Sequence, residues 1–101
     1  MQKSARSLEQ AIALDPEFGA AHCDLGYAYT RLGLLAPAAA EFRRAIELIP
    51  EESVPYSNLA WLLFVTGQRT EALANLRRAL LLSPQNGSAR LLAQEMIETA
   101  R

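Results

Sequence analysis

Residues 22–50 read HCDLGYAYTRLGLLAPAAAEFRRAIELIP and residues 56–84 read YSNLAWLLFVTGQRTEALANLRRALLLSP, and at a step of 34 residues the two stretches keep one pattern. The step sets Leu25 on Leu59, Gly33 on Gly67, Ala38 on Ala72, and the pair Arg43-Arg44 on Arg77-Arg78. Outward from these stretches it also carries Pro16 to Pro50 to Pro84, and Ala11 to Ala45 to Ala79. Chance does not align so many residue types. A fixed period of this size is the mark of a chain built from stacked supersecondary units.

Within each period the apolar residues recur every three or four positions, the spacing of helices rather than strands. Phe18, Ala21, Leu25, Tyr29 and Leu32 form one stripe, and Gly33 follows as the residue that can end a helix in the left-handed conformation. Ala38, Phe42, Ala45, Ile46 and Ile49 form the next, stopped by Pro50, which disfavours helical geometry in the residue before it. Leu73, Leu76 and Leu80 with the stop at Pro84 repeat that design. The pattern predicts helices over about 3–14, 18–32, 36–49, 53–66, 70–82 and 87–100. Connections this short favour antiparallel neighbours, so the unit is a helical hairpin and the fold class is all-α with six helices.

The chain has 101 residues, half of them apolar and 21% charged, which fits one folded domain and not a disordered segment. A formal charge of −1 supplies no field to draw DNA, RNA or an acidic membrane. Cys23 is the single cysteine and His22 the single histidine, so neither a cysteine-based zinc site nor an internal disulfide is expected. No glycine-rich phosphate loop is present, and no cofactor is expected. Residues 1–6 lack the apolar core of a leader, and nothing later approaches the roughly 18 uninterrupted apolar residues of a membrane helix. A soluble domain without membrane insertion, cytoplasmic in location, is the expectation.

The motif resembles the tetratricopeptide repeat, whose signature is W-x2-L-G-x2-Y, then A-x3-F, then P. This chain has His22-x2-Leu25-Gly26-x2-Tyr29, then Ala38-x3-Phe42, then Pro50; the next unit has Tyr56-x2-Leu59-Ala60-x2-Leu63, then Ala72-x3-Leu76, then Pro84. Only His22 departs in the first unit. The spacing makes physical sense, because small residues at Gly26, Ala60, Ala38, Ala45, Ala72 and Ala79 let helices approach. Gly26 costs a helix about 1 kcal/mol relative to alanine, which points to close packing as its reason. The resemblance implies a right-handed α-solenoid and one domain over 1–101: a leading half-repeat at 1–18, repeats at 19–52 and 53–86, and a capping helix at 87–101. Leu8 and Ile12 of the leading half are then expected to face a preceding segment of a longer parent, a second copy through this terminal helix, or water at some cost. Arg90, Gln94, Glu95 and Glu98 make the last helix polar, as a cap facing solvent requires.

In proteins of this family the first helices of successive repeats line a concave groove where peptides lie. Carried over by register, the groove would be lined by Ala20, Cys23, Asp24, Tyr27 and Arg31, by Val54, Ser57, Asn58, Trp61, Phe64 and Val65, and by Ser88, Leu91, Leu92 and Glu95. The helix over 53–66 is apolar on two faces, so Trp61 and Phe64 are either covered by Tyr27, Leu91 and Leu92 or open to a partner helix or peptide. Asn58 stands where groove-binding relatives hold a peptide backbone through an amide, but Asp24 and Leu92 break the ladder. Relatives that clamp a terminal carboxylate use a lysine, arginine and asparagine cluster. Only Asn58 matches, so no such clamp is expected.

His22-Cys23-Asp24 offers the residue types of a catalytic triad, yet neighbours on a helix point about 100° apart and cannot work together. A structural imidazole at His22 is the expectation. Arg43, Arg44, Arg77 and Arg78 read as a solvated outer face with local pairs such as Arg43 with Glu47, or as a docking strip for an acidic partner or phosphate. The function that follows is a non-catalytic scaffold binding a protein or peptide. The alternatives are self-assembly and a non-catalytic arm of a larger enzyme.

Overall fold

The computed structural model describes residues 2–100, with side chains from Ser4 onward; Met1 and Arg101, the expected domain ends, lie outside the described residues. Six helices follow in order: α1 (Gln2–Leu14), α2 (Gly19–Arg31), α3 (Leu35–Leu48), α4 (Ser53–Val65), α5 (Arg69–Leu82) and α6 (Gly87–Thr99). Among the described residues there is no strand, and each helix end falls within one residue of its predicted place. The chain divides into two compact units, one running to Pro50 and the other starting at Glu51.

In the first unit α2 packs on α3 and α1 packs on α2. Buried Ala5, Leu25 and Ala28 form the α1–α2 seam, with Leu8, Ile12, Tyr29 and Leu32 packed against them. The α2–α3 contact is closer, because Gly26 lies against the Phe42 ring: a Cβ at Gly26 would stand 2.7 Å from Phe42 Cε1. Phe42 is 1% exposed, so the missing side chain is what seats the ring. Ala38 and Ala45 are fully buried on the same helix as Phe42.

In the second unit α4 packs on α5, and α6 touches both. Leu59 and Leu63 are among its fully buried side chains, each worth about 1.5–3 kcal/mol of apolar burial. Ala60 and Leu76 stand where the first unit has Gly26 and Phe42, a larger residue traded for a smaller one, and both are buried.

Both hairpins turn through the same device. Gly33 has φ 79° and Gly67 φ 84°, a region that costs residues with a Cβ about 1–2 kcal/mol. Leu34 N–H donates to Tyr29 O at 2.9 Å and Gly33 N–H to Thr30 O at 3.0 Å; Gln68 N–H donates to Leu63 O at 2.8 Å and Gly67 N–H to Phe64 O at 3.1 Å. These are the paired bonds of the Schellman motif, which occupy carbonyls a helix end would leave bare.

Candidate protein-binding groove

On α2 of the first unit, Ala20, Asp24, Tyr27 and Arg31 share one exposed face, with Tyr27 53% exposed. Cys23, placed by register on the same surface, is buried at 8% exposure.

The second unit brings its predicted residues together more fully. Trp61, Phe64 and Val65 of α4 and Ser88, Leu91, Leu92 and Glu95 of α6 line a groove of about 470 Å³. Trp61 is 46% exposed and Leu91 71% exposed, so the apolar second face of α4 is left open in part and not sealed by α6. Leu92 is buried and forms the floor. Val54 is half exposed and Asn58 half-buried on α4, beyond the lining of the groove. Ser57 turns inward: it is 4% exposed, and its hydroxyl donates to Val54 O at 3.0 Å.

Two residues that sequence reasoning passed over hold α6 in place. Asn86 caps α6, its side-chain oxygen accepting from Ala89 N–H at 3.1 Å. Its amide nitrogen meanwhile donates to Ser53 Oγ at 3.0 Å and Ser57 Oγ at 3.3 Å, tying the start of α6 to the start of α4. Phe18 and Glu52, the residues at the matching cap positions, make no side-chain cap bond. The Asn86-Gly87 pair before an apolar stripe was a legible cap signal, though its bonds to α4 were not. At the other end, Arg69 of α5 donates to Met96 O and, at 3.3 Å, to Thr99 Oγ1, while its guanidinium lies 5.5 Å from the Phe64 ring centroid. One cation thus caps α6 and covers one face of a groove aromatic.

Asn86→Ala removes the cap and the bridge together, and should lower stability by about 1–2 kcal/mol. Urea denaturation checks this; a midpoint equal to wild type would show that the amide holds nothing.

A second groove, of about 510 Å³, lies on α5 and α6 and was not foreseen. Its origin is a loss of bulk. Where the α1–α2 seam has Leu25 and Leu32, the matching positions of α6 hold Ala93 and Ala100, which line the opening beside Leu73, Leu76 and Leu80.

Tetratricopeptide repeat models match residues 2–53 and 55–86. The chain belongs to the tetratricopeptide repeat family. A search of curated proteins returned no match. Among solved structures, the Arabidopsis OM64 tetratricopeptide domain is similar at 21% identity and TM-score 0.92, over 97% of this chain and 81% of that one. The first tetratricopeptide domain of Spaghetti (RPAP3), bound to the HSP90 peptide SRMEEVD, is similar at 22% identity and TM-score 0.88, over 95% and 76%. A mutant O-GlcNAc transferase of Thermobaculum terrenum is similar at 29% identity and TM-score 0.80, over 84% of this chain but only 16% of that one. The all-α fold is therefore that of tetratricopeptide domains.

The departure of His22 from the tetratricopeptide motif now has a structural account. The ring is 7% exposed, with Nδ1 2.7 Å from Glu41 Oε1 of α3 and Nε2 2.7 Å from Pro16 O in the α1–α2 connection. A polar residue in a packing position is tolerated because both nitrogens meet oxygen. Asp24 is exposed and Cys23 buried, so the three consecutive residues do not converge. Tyr29 fills its motif position with the hydroxyl donating to Glu9 Oε2 at 2.8 Å; that bond first, then burial and the charges of Glu9 and Glu41, raises the phenol above its ordinary pKa. Of the arginine ladder, Arg44 donates to Glu47 at 3.1 Å, a local pair of the expected kind. No helix among the described residues is long and apolar enough to cross a membrane.

Proposed function

We propose that this tetratricopeptide chain is a protein-interaction module that takes an apolar peptide or partner helix in the groove between α4 and α6. The observation that carries the reading is the pairing of half-exposed Trp61 with exposed Leu91 across an apolar floor. Exposed aromatics beside aliphatic walls are the usual anchors of protein interfaces. Likeness to the peptide-bound RPAP3 domain, and to YrrB, described as having an unusual peptide-binding site, agrees with a role of this class. The residues lining the groove include no lysine, arginine or histidine, so an acidic peptide such as SRMEEVD should leave Trp61 undisturbed.

The test starts from a peptide selected on the wild-type chain by display. Trp61→Ala should weaken its binding by about 30-fold, as loss of an interface anchor worth roughly 2 kcal/mol does. Asn58→Ala, one turn before Trp61 and beyond the lining, should weaken it only if the peptide runs past the groove along α4, and far-UV helicity should stay unchanged in both. Full binding by the folded Trp61→Ala chain would remove this groove as the site.

A further inference from the structure

We infer that the α4–α6 groove selects an apolar segment flanked by lysine or arginine; the inference rests on the groove reading above and adds the sign of the partner's charge. Of the residues lining the groove, Glu95 alone is ionisable. It stands exposed on α6, one turn past Leu91 and Leu92. Its backbone carbonyl accepts from Thr99 Oγ1, and its carboxylate has no partner among the described residues.

The nearby cations do not neutralise that carboxylate. Arg69 spends its guanidinium on Met96 O, Thr99 Oγ1 and the Phe64 ring. Arg90 lies on another side of α6, lining a surface with Ala93 and Gln94. A lone carboxylate at the rim of aromatic and aliphatic walls acts through a medium less polarisable than bulk water on that side, so its preference for a cation is strengthened. Trp61 adds a π face that also favours a cation and disfavours an anion. An apolar anchor would seat against Trp61, Leu91 and Leu92 while a neighbouring basic side chain reaches Glu95.

Trp61 is the only tryptophan in the chain, so its emission reports occupancy of this groove. The probes are three capped synthetic peptides of equal length: leucines with lysines, leucines with glutamates, and serines with lysines. The leucine–lysine peptide should shift Trp61 emission in a salt-sensitive manner, and the other two should bind about tenfold more weakly or less. Glu95→Gln should remove most of the preference for lysine over glutamate, and Glu95→Lys should reverse it. Glu47→Lys, the same charge change on an exposed position of α3, should leave the preference as it was. Equal binding of the two leucine peptides, or a lysine preference that survives Glu95→Lys, would overturn the inference while sparing the groove. Unchanged Trp61 emission with every peptide, on a chain shown folded by circular dichroism, would overturn both.

Discussion

Leu25→Asp should abolish the cooperative folding of the first unit. Leu25 is 3% exposed, with Ala5 and Ala28 around it and Leu8, Ile12, Tyr29 and Leu32 packed against that cluster. An aspartate there forfeits about 2 kcal/mol of apolar burial and places a carboxylate where no donor waits. The nearest charge named at that seam is Glu9, of the same sign, on Tyr29. A cost above about 4 kcal/mol is the expected sum, against a total of roughly 5–15 kcal/mol for a domain. Leu14→Asp is the control, because Leu14 is 89% exposed and the same chemistry at that position should change little. Thermal melts by far-UV circular dichroism, with amide exchange read over α1 to α3, separate the two. A Leu25→Asp chain melting like wild type would show that the 34-residue step has been laid on the wrong face.

The repeat made the helices legible because each boundary is chemical. Gly33 and Gly67 are the only described residues in the left-handed region, and both end a helix where the sequence pattern requires it. Gly26 was legible for the opposite reason: it sits inside a helix at a known cost, and the Phe42 ring against it explains why. The groove was only half legible. A helix apolar on two faces states that both need cover and does not state where cover comes from, so the exposure of Trp61 followed only from the placement of α6. That placement depends on Asn86 reaching Ser53 and Ser57, and on Arg69 reaching the end of α6, contacts about 30 residues apart in sequence. The same holds for His22, whose burial was foreseen and whose partners, Glu41 and Pro16, were not. Register assigns a residue to a face, whereas hydrogen-bond partners across a hairpin depend on side-chain reach, as His22 shows by meeting Glu41; even the face can differ, since Ser57 turns inward from a groove position to donate to Val54 O of its own helix.

Phe42→Ala should cost about 3–5 kcal/mol, the range for truncating a buried aromatic, since the ring is 1% exposed and has no solvent to yield to. Its coupling to Gly26 is the sharper test. In the wild-type chain Gly26→Ala gains about 1 kcal/mol of helix propensity but sets a methyl against three ring atoms, and overpacking of about 1–3 kcal/mol should win. The added Cβ would stand 2.7, 2.8 and 3.0 Å from Phe42 Cε1, Cδ1 and Cζ, and because Cζ lies on the ring's rotation axis, turning the ring leaves that last contact in place. With Phe42→Leu the obstruction is gone, and Gly26→Ala should change sign and stabilise. The double variant then carries the alanine and leucine that the second unit holds at Ala60 and Leu76, a pair already buried in this protein. Urea midpoints of the four chains complete the cycle, with a coupling of about 1–3 kcal/mol expected. A shift of the same sign in both backgrounds would mean that Gly26 is there for some reason other than the ring of Phe42.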